Sequence, residues 1–216
     1  MINSLVGEHI ILRKAKPSDY NSMLKNIWSD EEVYKWMLFK PTLTEIEAID
    51  RTNRSIEFQK DHYAYFVALK DTDEAIGYCG IKEYEENKYE ECGICIARQY
   101  QNKGYGKEIL ELLFDLAFNK LNGSTFRYGY FTNNIKSKKL ANHFNFKYVS
   151  KEELISLGII KNSLLNYVYL EKKNMKIWEM LVRINLHECF LYTFNVCKYK
   201  SVQKVKFCID KRFRVW

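Results

Sequence analysis

The residues most able to do chemistry lie together between Glu91 and Lys107. Glu91-Cys92-Gly93-Ile94-Cys95-Ile96-Ala97 reads as a strand, and it runs through Arg98-Gln99-Tyr100 into Gln101-Asn102-Lys103-Gly104-Tyr105-Gly106-Lys107 at the head of an amphipathic helix. A glycine-bearing strand-to-helix turn leaves backbone N–H groups unpaired at a helix N-terminus, where the helix dipole also favours anions. A phosphate or pyrophosphate fits such a turn, and Gly104 and Gly106 let the backbone approach it closely. The spacing is neither a Walker loop nor the Gly-x-Gly-x-x-Gly dinucleotide fingerprint. A plain turn with one left-handed glycine also accounts for it. Glu91 reads either as a solvated strand-end carboxylate or as a proton acceptor.

Other chemistry-bearing residues have blander readings. Cys92-x-x-Cys95 has zinc-ligand spacing, but residues three apart on a strand point to opposite faces, and no second Cys or His pair stands nearby. The pair is read as small buried side chains, with no metal. His9, His62, His143 and His187 form no metal-binding spacing. The early aromatics Tyr20, Trp28, Tyr34, Trp36 and Phe39 read mostly as core, with a few available to line a pocket.

The elements that position these residues follow from periodicity and turn signals. His9–Lys14 reads as a short strand, and Pro17-Ser18-Asp19 opens a helix to about Trp28. Asp30-Glu31-Glu32 starts a short helical piece ending before Pro41. Thr42-Leu43-Thr44-Glu45 looks like a capping box for a helix to about Lys60, with Ile46, Ile49 and Ile56 as its apolar positions. Tyr63–Leu69, Ala75–Tyr84 and Tyr89–Ala97 then form an antiparallel meander. The helix carrying Ile109, Leu112, Leu113, Leu116 and Ala117 closes near Asn122-Gly123, and strand Thr125–Phe131, helix Asn134–Phe144 and strands Lys147–Ser150 and Leu164–Glu171 complete the order. The expected fold is α+β, with a mixed, mostly antiparallel central sheet flanked by helices.

Three further matches stand in this order. Gln101-x-x-Gly104-x-Gly106 resembles the Gln/Arg-x-x-Gly-x-Gly/Ala acetyl-CoA motif of GNAT N-acetyltransferases. Glu91-Cys92-Gly93-Ile94-Cys95-Ile96 is similar to the Glu-x-Gly-x-x-Ile segment of the branch that contains the ribosomal-protein N-terminal acetyltransferases. Asn134-Ile135-Lys136-Ser137, followed by Phe144-Asn145-Phe146, resembles that family's Asn-x-x-Ser helix and closing Leu-Gly-Phe. The resemblance spans roughly residues 8–172.

What the resemblance implies is acetyl-CoA as acyl donor and a primary amine as acceptor, joined by direct attack in a ternary complex. The acceptor would be a protein N-terminus or a small cationic amine, the latter favoured by Glu83, Glu85, Glu86, Glu90 and Glu91 near the motif strand. The pantetheine arm would add to a strand edge at about Ile94 to Ala97, with Ile96 and Ala97 in contact. The pyrophosphate would rest on the amides of Gln101, Asn102, Lys103, Gly104, Tyr105, Gly106 and Lys107, with charge from Lys103 and Lys107. Asn134 and Ser137 match positions near the far side of the pantetheine, and Glu91 matches an acidic position able to take the amine proton. Two positions depart from the pattern. Ala141 stands where many relatives carry the Tyr that protonates the leaving thiolate, which leaves water, Tyr128, Tyr130 or Ser137 for that step. Asn145 replaces a glycine, a mild change because Asn also tolerates the left-handed conformation. Ala141 also keeps open a non-catalytic acyl-CoA-binding regulator or partner-binding protein of the same fold.

Composition bounds the remainder. The chain has 216 residues, 47% of them hydrophobic, with only 2 Pro, so disorder and simple repeats are excluded. Six cysteines in a chain of this length, with no signal-like N-terminus, read as reduced thiols of a soluble, cytoplasmic protein, and no apolar run is long enough to span a membrane. The expected domains are an acetyltransferase body, residues 1–173, and a basic, aromatic-rich extension, residues 174–216. The extension carries +6 of the formal net charge of +7. A nearly neutral body argues against nucleic acid as the main partner. Three readings of the extension stay open: packing on the body or on a second subunit as a homodimer, a basic arm for nucleic acid or a membrane surface, or a poorly selected addition.

Overall fold

A computed structural model of the chain describes residues 1–37, 39–149 and 165–172. The readings for residues 174–216, and for the helical turn at Gly158, lie outside these residues. Among the described residues, eight strands form one sheet: β1 (Ser4–Val6), β2 (Ile10–Arg13), β3 (Tyr63–Leu69), β4 (Ala75–Glu85), β5 (Lys88–Ile96), β6 (Thr125–Phe131), β7 (Lys147–Tyr148) and β8 (Leu165–Glu171). Their spatial order is β1-β2-β3-β4-β5-β6-β8-β7, and every neighbouring pair is antiparallel except β5 and β6. That exception follows from topology, since β5 returns to β6 through a crossover helix. The α+β expectation is met, with β1 an added edge strand that too short an apolar run concealed.

The helical elements sit between β2 and β3 and around β6. The first, α1, begins as a 3-10 turn (Pro17–Asp19), continues as α-helix (Tyr20–Met23) and ends in a π-helical turn (Leu24–Trp28). Then follow α2 (Glu31–Tyr34), α3 (Glu45–Asp61), α4 (Tyr105–Phe114, extended by a π-helical turn, Asp115–Lys120) and α5 (Ile135–His143). Met23, Ile27, Trp28, Val33, Ala48, Phe66, Cys95 and Ala97 form one buried cluster that joins α1, α2 and α3 to the sheet. A second packing centre is aromatic: Phe114 of α4 meets Phe126 and Phe144 edge-on, with ring centroids 5.0 and 5.1 Å away.

The α3 reading needs correction. The capping box lies two residues later than expected, between Thr44 and Glu47, and Ile46 and Ile49 are exposed. The helix buries Ala48, Thr52 and Gln59 instead. Small and polar residues serve there because Gln59 Oε1 accepts the N–H of Ala15 at 2.6 Å, which ties α3 to the segment after β2. A buried bidentate pair fixes the same region, with Arg13 donating from Nη1 and Nη2 to Asp19 at 2.8 Å each.

Candidate active site

β5 and β6 pair only over Lys88↔Thr125, Tyr89↔Phe126 and Glu90↔Arg127. Beyond Glu90 the strands diverge. On the other side of β5 the register to β4 passes from Ile81↔Glu91 to Cys79↔Ile94, so Cys92 and Gly93 together face Gly80. This is a β-bulge, which bends the strand that carries it. Gly93 adopts φ +108°, a conformation that side chains resist. The divergence opens a cleft of about 1130 Å³ lined by β5, β6, α5, the turn before α4 and the chain around α2.

Glu91 stands at the vertex. Its carboxylate accepts the N–H of Gly93 at 2.5 Å from its own strand and that of Gly129 at 3.3 Å from β6, so it bridges both arms of the opening. Burial pushes the carboxyl up to about 7, outweighing the two N–H bonds, which favour the anion. The structure therefore describes a partly buried carboxylate poised near neutrality rather than a solvated one. Tyr128 of β6 also lines the cleft, is hydrogen-bonded to Ser137 of α5, and is held protonated by burial. Ala141 is buried, and the phenols that line the cleft are those of Tyr78, Tyr100, Tyr128 and Tyr130.

At the other end, Gly104 caps α4 with φ +86°. The N–H of Gln101 is taken by Arg98 O at 3.2 Å and that of Lys107 by Gly104 O at 3.0 Å. The amides from Asn102 to Gly106 lie between these bonds, ahead of the first internal bond of the helix. Gln101 spans the opening: its Nε2 donates to Ile96 O at 2.9 Å, and Lys136 Nζ from α5 donates to its Oε1 at 2.6 Å.

Most of the residues selected from sequence converge here. Glu91, Ile96, Gln101, Asn102, Gly104, Gly106, Lys107, Asn134 and Ser137 all line the cleft. Asn134 caps α5 by accepting the N–H of Ser137 at 3.1 Å. Three residues do not line it. The N–H of Ala97 is used by Ile76 O of β4 at 2.7 Å, so the edge facing the opening is that of Ile96. Lys103 lies over the ring of Tyr100, 5.3 Å from its centroid, and Tyr105 faces His9. Lys107 is 3.9 Å from Glu111.

The acidic cluster is also corrected. Of the five glutamates, only Glu90 and Glu91 reach the cleft, and Glu90 is bonded to Arg127 and, at 3.0 Å, to Lys82. Glu83 accepts the N–H of Asn87, and Glu85 pairs with Lys88. Neighbours in sequence on a hairpin are not neighbours in the site. Of the early aromatics, Trp36 and Phe39 wall the cleft, together with Tyr78, Tyr100, Tyr128, Tyr130 and Phe131, and Tyr78 has no sequence signal to separate it from core. Cys92 is exposed and Cys95 buried, and among the described residues no group of three His, Cys, Asp or Glu could hold a metal.

Comparison with known proteins decides the family. The acetyltransferase (GNAT) domain matches residues 9–147. The chain belongs to the GNAT acetyltransferase family. It is thus an acetyltransferase, of a family that uses acyl-CoA donors. It is 32% identical to an uncharacterised N-acetyltransferase, p20, of Bacillus licheniformis, over 68% of this chain and 83% of the relative. Among solved structures it is similar to a GNAT-family acetyltransferase from Bacillus anthracis, with TM-score 0.65 and 18% identity, covering 79% of this chain and 99% of that one. It is also similar to the ribosomal-protein-S5-alanine acetyltransferase from Vibrio fischeri, with TM-score 0.60 and 18% identity, covering 81% of this chain and 100% of that one. At such identities these two similarities show the shared fold. No helix among the described residues is long and apolar enough to cross a membrane.

Proposed function

We propose that this acetyltransferase uses acetyl-CoA as its donor and transfers the acetyl group to a primary amine by direct attack within a ternary complex. The observation that carries the reading is a carboxylate of raised pKa at the vertex of two diverging strands, with a helix N-terminal turn at the far end of the same cleft. The turn suits the pyrophosphate through the amides from Asn102 to Gly106. Lys107 adds positive charge, and the Ile96 edge is open to the pantetheine amides. Gln101 now occupies Ile96 O, so donor binding would displace its side-chain amide.

The acceptor amine must lose a proton as its nitrogen bonds to the thioester carbonyl, and Glu91, with a pKa near the working pH, is suited to take it directly or through a water. The thiolate that leaves takes its proton from Tyr128, which lines the cleft in its protonated form, or from a water beside it. The second of these roles is the one left vacant by Ala141.

The test is a melting curve with and without excess acetyl-CoA. A ligand bound only by the native state, at a hundredfold excess over Kd, stabilises it by about 2.7 kcal/mol. Gly106→Trp should abolish the rise, because a side chain there would project between Ile96 and Leu140 at ordinary contact distance, with no backbone strain. A folded wild-type protein that shows no shift refutes the donor, and a shift without thiol release against a broad amine panel refutes the transfer.

A further inference from the structure

A second cavity, of about 380 Å³, adjoins the cleft and shares Phe39, Tyr78 and Cys92 with it. Its floor is aromatic, and its charged residue of interest is Arg51 of α3. The guanidinium lies over Phe39 at 4.2 Å and over Trp28 at 4.7 Å from the ring centroids. Among the described residues its hydrogen bonds both come from Nη1, to Lys40 O at 3.2 Å and to Thr42 Oγ1 at 2.9 Å.

Among the described residues, no carboxylate lines this cavity. Among the described residues, the groups acting electrostatically on Arg51 are Tyr78, Cys95 and Arg54, and burial lowers its pKa. The neighbouring Arg54 is exposed and already bonded to Asp50 at 2.9 Å. A half-buried guanidinium without an anion is an incomplete arrangement, since partly desolvated charges are normally paired. Its planar fork matches a carboxylate bidentately, and its Nη2 and Nε edge has no hydrogen-bond partner among the described residues.

Tyr78 joins this cavity to the chemistry. Its ring lies 6.1 Å from that of Phe39, and its hydroxyl end lies against Gly93, two residues from Glu91. Phe39, Tyr78 and Cys92 form the boundary common to both cavities, so a molecule seated on Arg51 would reach toward the vertex across the Tyr78 ring.

We propose that the acceptor of this acetyltransferase carries a carboxylate in addition to its amine, and that Arg51 holds that carboxylate while the amine reaches the Glu91 side of the cleft. This rests on the acetyl-transfer reading above and names its substrate class. The acceptor is an amino acid or a short acidic amine rather than a polycation. The amine itself needs no carboxylate cluster to attract it, in keeping with the pairing of Glu90 by Arg127 and Lys82.

The test uses three matched series on the full chain: ω-amino acids of increasing length, their carboxamides, and the corresponding diamines. The expected result is that kcat/KM for the best carboxylate exceeds that of its carboxamide by about tenfold or more, the range of one charge-assisted hydrogen bond. Arg51→Met should collapse that ratio to about one, and Arg51→Lys should keep part of it, as a point charge without the fork would. Equal rates for carboxylate and carboxamide in the wild type would overturn the proposal. So would an Arg51→Met protein in which both fall together with the ratio kept, the signature of a purely structural arginine. Melting shifts with each acceptor alone give a second readout. A shift with the carboxylate and none with the carboxamide supports the subsite even where no transfer is seen, so a failure of acetyl transfer is distinguished from a failure of the subsite.

Discussion

Replacing Glu91 by glutamine removes one titrating group and nearly preserves its volume. Burial raises the carboxyl from its ordinary 4.5 to about 7 despite the N–H bonds from Gly93 and Gly129. A pKa difference of one unit corresponds to about 1.4 kcal/mol, so this gap amounts to about 3 kcal/mol against the charged form. The folded protein holds this proton more tightly than the unfolded chain. The corresponding stability is fully present below about pH 4.5 and is lost as pH rises through about 7. Urea titrations should therefore show wild-type stability falling by about 3 kcal/mol more than that of Glu91→Gln between those pH values. In the acetylation assay, wild-type kcat/KM should rise with pH to a plateau above about 7, whereas the variant should lose that inflection and about a hundredfold to ten-thousandfold in rate. Parallel stability curves for the two proteins would refute the burial argument. An unchanged pH–rate inflection in the variant would refute the assignment of the proton acceptor.

Two further outcomes are expected. Tyr128→Phe should lower kcat by about tenfold to a hundredfold with little change in the KM for acetyl-CoA, and the deficit should shrink with a thioester of more acidic thiol; a deficit independent of the leaving group would exclude Tyr128 as the acid. Arg13→Met should destabilise the fold by about 3–5 kcal/mol in denaturant titrations, because it leaves Asp19 buried and uncompensated; a loss under about 1 kcal/mol would show that Asp19 finds other partners or water.

Apart from the three-residue β1, the order of elements was legible because the strands and helices carry their own periodicity and turn residues. Asn145 takes φ +54°, the left-handed conformation that its substitution for glycine implied. Three things were not legible, for separate reasons. The buried face of α3 is set by Ala48, Thr52 and Gln59, whose burial depends on partners remote in sequence, so a search for large apolar residues selected Ile46 and Ile49 instead. The glutamates of the β4–β5 hairpin are close in sequence, yet ion pairs and turn bonds claim Glu83, Glu85 and Glu90. Arg51 stands among ordinary helix residues, and only the approach of Trp28, Phe39 and Tyr78 makes it part of a cavity.

Ala97 shows how one backbone irregularity decides which groups a site can use. In a regular strand the side facing β6 would be fixed from Lys88 onward by the pairing with Thr125 and Phe126. The extra residue at Cys92-Gly93 resets that alternation and bends β5 away from β6. Three features of the cleft then have a common origin. Pairing to β6 ends at Glu90, Glu91 is left where its carboxylate can bridge Gly93 and Gly129, and the carbonyl offered to the opening is that of Ile96 while Ala97 bonds to Ile76. Gly93 permits this through its positive φ, and a Cβ there would also press on Tyr78 and Met37 at 3.2–3.3 Å. The glycine two residues after the carboxylate is therefore as much a part of the site as the carboxylate, since it carries the bulge just beyond the last β5–β6 pair and donates its N–H to Glu91.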